Sequence, residues 1–229
     1  MPRRSRPAET TRSEHWLREA VNRFTRHFNN KVAAAFNFDE RDGILWLSPT
    51  KADDYAEYCD QAFLDRLDVR PRVPLKDFWP PGGPCWDGLA RTNSDKRILV
   101  EAKAYIEEAV DYRSRACPES LEQIKGSLAK AKTAFNASKD APWESPLYQC
   151  TNRLAHLYYL HGMNDIDAYL LFVYFAGAAD VPSPASAEEW KGGIRLMKKC
   201  LGLGRNPYQA RVADLIVSVP EMLASPITL

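Results

Sequence analysis

Pro84-Cys-Trp-Asp87-Gly-Leu-Ala-Arg-Thr-Asn93-Ser-Asp95-Lys-Arg97-Ile-Leu-Val-Glu101-Ala-Lys103-Ala104 decides how this chain reads. Two extended segments, Cys85 to Arg91 and Arg97 to Tyr105, flank the turn-forming run Asn93-Ser94-Asp95 and predict a hairpin. Side chains repeat every second residue along a strand. Glu101 and Lys103 therefore share one face, while Ile98, Val100, Ala102 and Ala104 share the other, which is the core face. The hairpin can bring Asp87 beside Glu101. Two carboxylates side by side repel unless a cation lies between them, and hard oxygen ligands of this kind suit Mg²⁺ or Mn²⁺. The alternative is a solvent-facing ion pair on a strand.

An Asp on one strand, followed by an apolar run ending in Glu-x-Lys on its hairpin partner, resembles the PD-(D/E)XK, restriction-endonuclease-like nuclease superfamily, including its uncharacterised bacterial members. The match departs from the family string at Trp86, which precedes Asp87; the nearest proline is Pro84. The resemblance implies a restriction-endonuclease-like mixed β-sheet core flanked by helices, of α/β class, here with an additional N-terminal helical segment. It implies Asp87, Glu101 and the backbone carbonyl of Ala102 as metal ligands, with Lys103 orienting or deprotonating the attacking water. The expected activity is Mg²⁺- or Mn²⁺-dependent hydrolysis of phosphodiester bonds in nucleic acid, with DNA as the expected polymer. The competing expectation is a non-catalytic nucleic-acid-binding or assembly module on the same fold. A small-molecule enzyme of another α/β class finds no cofactor motif, since no Gly-rich strand-to-helix turn is present.

Glu-x-Lys recurs at Glu189-Trp190-Lys191. There Glu189 stands three residues after Ser186, as a capping box requires, and Trp190, Ile194 and Met197 have helical spacing. That copy reads as helix, without the core-facing strand the chemistry needs.

Further candidates lie on either side. The segment after Ser145-Pro146 reads as a helix begun by an N-cap and a proline and ended by Gly162. It places Gln149, Arg153 and His156 on one face with Asn152 at its edge, able to orient a phosphate or support the metal site; an ordinary helix surface is the alternative. Thr50 with Asp53 predicts a helix carrying Tyr55, Cys59, Phe63 and Leu67, on which Glu57 is a candidate acid among Asp53, Asp54, Asp60 and Asp65. Trp79, Trp86 and Trp143 lie near loops, where they could stack on bases but more readily close a core edge.

Elsewhere, residues 1–12 read as a mobile basic tail and 13–229 as one domain. Ser13 is the expected cap of a helix carrying Trp16, Leu17, Ala20, Phe24 and Phe28. Asp42-Gly43 suggests a hairpin before Ile44–Leu47. Ser120-x-x-Gln123 reads as a capping box ahead of Leu121, Ile124, Leu128, Ala131 and Phe135. Ala168–Phe175 reads as a buried strand, and Val212–Val219 as a final one.

With 229 residues, 45% hydrophobic and 27% charged, the chain has the composition of a globular domain. Its net charge of +1 excludes a polycation, although Arg and Lys outweigh Glu over residues 3–31 and Lys125, Lys130, Lys132 and Lys139 form a second basic stretch. Such patches suit a phosphate backbone or a solvated helix face. The N-terminal helix could also serve as a dimer arm, so a homodimer is an open expectation. The apolar runs are too short for a bilayer and no secretory segment follows the N-terminal arginines. Cysteines at 59, 85, 117, 150 and 200 form no Cys-x-x-Cys pair. They read as small buried hydrophobes without a disulfide framework, in a reducing cytoplasm.

Overall fold

In a computed structural model that describes residues 3–4, 10–110, 114 and 116–228, helices flank a five-stranded mixed sheet. The strands are β1 (Arg3–Arg4), β2 (Ile44–Ser48), β3 (Glu57–Cys59), β4 (Cys85–Trp86), β5 (Gly88–Thr92), β6 (Arg97–Lys103), β7 (Ala168–Ala176) and β8 (Val212–Ser218). The α-helices are α1 (Arg12–Asn22), α2 (Thr25–Phe36), α3 (Asp60–Arg66), α4 (Pro118–Ala134), α5 (Tyr148–Leu157), α6 (Ala187–Cys200) and α7 (Val219–Ala224).

The large sheet has the order β2-β5-β6-β7-β8. β2, β5 and β6 are antiparallel neighbours, and β7 and β8 then add in parallel. Antiparallel neighbours need only a tight connection, and residues 93–96 supply one between β5 and β6. A parallel neighbour needs a long crossover, and α4 and α5 occupy the one between β6 and β7. With both faces covered, every residue of β6 is buried. Leu99 joins the core on one face; Ile98, Val100, Ala102 and Ala104 join a second core on the other, formed with α1, α2 and β7. The alternation expected for this strand is present. Glu101 and Lys103 nevertheless face a protein interior rather than solvent, which excludes an exposed ion pair.

A smaller sheet, β1-β3-β4, stands beside the first. It corrects two expectations. Residues 50–67 are not one helix: Glu57–Cys59 are extended and only Asp60–Arg66 coil. The segment Cys85 to Arg91 is not one strand: β4 pairs with β3 in the small sheet, β5 pairs with β2 and β6 in the large one, and Asp87 is the residue between them. The β3–β4 pairing sets Cys59 opposite Cys85 and joins them in a disulfide, where free thiols were expected. Cys117 and Cys200, expected in the core, are exposed.

Helix starts also shift. α1 begins at Arg12 after Thr11, and Ser13, instead of capping, donates to Glu108. Phe28 belongs to a second helix and Phe24 directly precedes it, because the first helix ends at Asn22 and Arg23–Phe24 form a turn between the two. α4 starts at Pro118, whose fixed φ suits a first turn, so Ser120 lies inside it and Gln123 bonds the Lys76 carbonyl instead. α5 starts at Tyr148 rather than at Ser145-Pro146, and runs into a π-helical turn at Tyr158–Met163 that contains Gly162. Asp42-Gly43 makes no hairpin; Asp42 instead accepts from Ser94 and Lys96 in the β5–β6 turn. Arg3–Arg4, assigned by sequence to a mobile tail, pair with β3. The Ser186 capping box, β7 and β8 form as expected. Among the described residues no helix is long and apolar enough to cross a membrane.

Candidate active site

The β5–β6 ladder ends at the pair Gly88↔Val100, whereas the β6–β7 ladder continues to Lys103↔Tyr174. Residues 101–103 are thus held on one side and released on the other. The chain of β5 turns away at Asp87, and the Asp87 carboxylate takes over the vacated edge by accepting from the Ala102 N–H at 2.8 Å. A strand residue presents its N–H and C=O along the same edge, so the Ala102 carbonyl faces that side too. Asp87, Glu101, Ala102 and Lys103 all line one cavity of about 1150 Å³.

α5 closes the cavity from the other side. Gln149 accepts from Lys103 Nζ at 2.7 Å, and Lys103 donates to Glu101 at 2.6 Å. Arg153 donates through Nε to the second oxygen of Glu101 at 2.6 Å and through a terminal nitrogen to the Cys85 carbonyl at 2.8 Å. A third bond from Arg153 reaches Asn152 Oδ1 at 3.0 Å, and its guanidinium lies 4.8 Å from the ring centre of Trp86. Arg153 is therefore turned toward the protein interior, orienting Glu101 instead of reaching for a phosphate.

Burial would raise the Glu101 carboxyl, but Arg153 and Lys103 outweigh it and hold the group below its ordinary range. Burial would lower Lys103, yet Glu101 and Asp87 prevail and keep it an ammonium ion. Asp87 stands at the opposite extreme. Burial first, then the charge of Glu101, push it well above the usual carboxylate range. The site thus contains one carboxylate balanced by two cations and one that lacks balance.

Glu57, expected on a helix, is buried on β3 and lines the same cavity. The β3–β4 register pairs Tyr58 with Trp86 and Cys59 with Cys85. The charge of Glu57 adds to the rise at Asp87.

His156 does not join the site. A helix rises 1.5 Å per residue, so its place seven residues beyond Gln149 carries it past the cavity, into a nest of Phe63, Phe78, Trp79 and Trp86. Its Nδ1 bonds the Asn152 carbonyl at 2.8 Å. Burial, with Arg153 adding, lowers its pKa to about 3 against the opposing pull of that bond, so the ring is neutral. All three candidate tryptophans are buried. Trp79 lines the cavity, while Trp143 bonds the Leu201 carbonyl away from it. The Glu189 copy is helical, its carboxylate closing the capping box with Ser186.

Sequence reasoning missed Glu108, which accepts from the Ala104 N–H and from Ser13 at the cavity wall. It follows the strand with no motif to mark it. The disulfide was missed because its cysteines are 26 residues apart.

For a hard divalent cation the chemistry fits: Asp87, Glu101 and the Ala102 carbonyl offer oxygen donors, and a nearby cation would favour the ionised form of Asp87 that burial and Glu101 disfavour. Among the described residues no three His, Cys, Asp or Glu side chains group as a metal site by themselves, so the backbone carbonyl and water would complete the shell. No protein-family model, curated protein or solved structure matches the chain.

Proposed function

We propose that this protein is a metal-dependent nuclease of restriction-endonuclease-like fold, hydrolysing phosphodiester bonds with DNA as the expected substrate. One observation carries the reading: where β5 ends, Asp87, Glu101, Ala102 and Lys103 converge on a single cavity. The strand order supports it, with three antiparallel strands, a helical crossover and a parallel strand.

Asp87, Glu101 and the Ala102 carbonyl would hold the cation. The chemistry Mg²⁺ or Mn²⁺ supplies when bound there is Lewis-acid activation of the phosphodiester and of water. Lys103, fixed between Glu101 and Gln149, presents a charged ammonium to the cavity. Its role is to orient the nucleophile and offset the negative charge that develops at phosphorus. With Glu101 and Gln149 accepting from it, it acts as a charge and a donor rather than as the base. Arg153 holds Glu101 in a single orientation, and Gln149 does the same for Lys103.

A second reading, a non-catalytic nucleic-acid-binding or assembly module, has one observation in its favour: Lys103 and Arg153 satisfy Glu101 without any metal. Nicking of supercoiled plasmid in Mg²⁺ or Mn²⁺, against EDTA and against Lys103→Ala, separates the two. Cleavage that requires both the cation and Lys103 supports the nuclease. Binding without cleavage under every condition supports the module.

A further inference from the structure

We propose that the Asn152 side-chain amide is a substrate-binding donor, gripping a non-bridging oxygen of the DNA backbone beside the scissile position. The substrate named here rests on the nuclease reading above; the orientation of the amide does not.

Asn152 is 5% exposed and lines the cavity that contains Asp87, Glu101 and Lys103. Chemistry tells the two ends of its amide apart. A guanidinium only donates, so the atom 3.0 Å from a terminal nitrogen of Arg153 is Oδ1. Arg153 is itself fixed by Glu101 and by the Cys85 carbonyl, and the amide is fixed with it. The other end, Nδ2, carries two N–H groups. It donates to no group among the described residues, yet it is not one of the buried polar atoms cut off from solvent. A side chain so deeply buried meets solvent only through the space it lines. The amide nitrogen therefore faces the cavity.

Its neighbours are engaged already. Lys103 donates to Glu101 and Gln149, and Arg153 to Glu101, Cys85 and Asn152. Asn152 adds two donors that no protein acceptor occupies. It stands three residues beyond Gln149 on α5, and side chains at that spacing are neighbours about 5–6 Å apart. The backbone is the part of a nucleic acid that has to approach Lys103 and the carboxylates, and the amide lies beside that path. Side-chain amides are regular partners of phosphate oxygens. A neutral donor also suits an anion in a site where acidic groups are already present, because it brings no counter-charge that Glu101 could capture.

Two variants separate this donor from a merely structural amide. Asn152→Asp keeps an oxygen for Arg153 and removes the donors; Asn152→Ala removes both. Each is made in the Lys103→Ala background, so that no cleavage intervenes. Fluorescence anisotropy then measures binding of short labelled duplexes in Mg²⁺, one of A·T pairs only and one of G·C pairs only. Both variants are expected to bind both duplexes about tenfold more weakly than their parent, the size of one hydrogen bond to a charged group. Undiminished binding by Asn152→Asp would overturn the proposal, because accepting from Arg153 would then be all that the residue does. A loss confined to one duplex would overturn it too, since that marks a base-edge contact. If Asn152→Ala does not fold, Asn152→Asp decides alone. Plasmid nicking by the protein with Lys103 intact keeps the two ideas apart. Cleavage by wild type, with undiminished binding by Asn152→Asp, refutes the amide's role and leaves the nuclease standing. Weaker binding by the variants, with no cleavage by wild type in Mg²⁺ or Mn²⁺, refutes the nuclease and leaves the phosphate contact standing. A parent that binds neither duplex refutes both.

Discussion

The Asp87 carboxylate accepts a hydrogen bond from the Ala102 N–H, 2.8 Å away, at the place where one neighbour of β6 ends and the other continues. A side chain here does the work of a missing strand. It satisfies a backbone donor that would otherwise be buried without a partner, and it brings a carboxylate beside Glu101.

Asp87→Asn should stabilise the metal-free protein near neutral pH. The folded pKa of Asp87 lies above the unfolded one, so the folded state binds more protons and stability falls as pH rises between the two values. Asn keeps an oxygen for Ala102 without the charge. Thermal unfolding should show a higher Tm for the variant at pH 7, by about 2–4 °C per kcal/mol, with the advantage vanishing below the ordinary Asp range. Mg²⁺ or Mn²⁺ should raise the Tm of wild type more than that of the variant. An Asp87→Asn Tm at or below wild type at neutral pH would show that the charge is already balanced.

Arg153→Met should be among the more damaging single changes. It removes one of two cations from buried Glu101 and leaves the Cys85 carbonyl without this donor. The expected cost is about 3 kcal/mol, the low end for breaking a buried pair, because Lys103 remains. Urea unfolding measures it. A cost under about 1 kcal/mol, the range of exposed pairs, would mean that the guanidinium is not holding Glu101.

His156→Gln should flatten the acid side of the stability curve. The folded pKa of about 3 lies below the ordinary 6.5. The stability contributed by the neutral ring is therefore complete above pH 6.5 and is lost as pH falls from there toward about 3. A neutral side chain has no such dependence. The difference in unfolding free energy between wild type and variant, followed from pH 7 to pH 4, isolates this residue from the carboxylates. A constant difference would place a charged histidine in the core.

Glu189→Ala should cost about 1 kcal/mol by opening the α6 capping box and leave any nuclease activity untouched. Glu101→Gln should abolish that activity. Loss of cleavage in Glu189→Ala with its fold retained would mean that the chemistry had been assigned to the wrong Glu-x-Lys.

The sequence was most informative where one local rule acted alone. Ile98, Val100, Ala102 and Ala104 alternate because a strand has period two, and the two core faces of β6 follow directly. Ser186 and Glu189 specify a helix start through bonds spanning three residues. Around residue 57 two rules compete. Tyr55, Cys59, Phe63 and Leu67 recur every four residues, which fits a helix and equally fits a three-residue strand leading into one. Pairing with β4, which sets Tyr58 against Trp86, decides for the strand. His156 and Gln149 share a helix face in sequence, yet packing sends one to the aromatic core and the other to Lys103.

What the sequence by itself determined is the candidate trio Asp87, Glu101 and Lys103, together with the strand that sets two of them on one face, because alternation and hairpin turns are written within about twenty residues. Only the tertiary structure decided that Glu101 and Lys103 are buried with Asp87 half-buried, that Arg153 neutralises Glu101, that Glu57 lines the same cavity and that Cys59 meets Cys85. Those facts come from contacts between segments far apart in the chain. Burial and the charges that folding brings beside each group together fix its ionisation: Arg153 and Lys103 outweigh burial at Glu101, whereas burial prevails at Asp87.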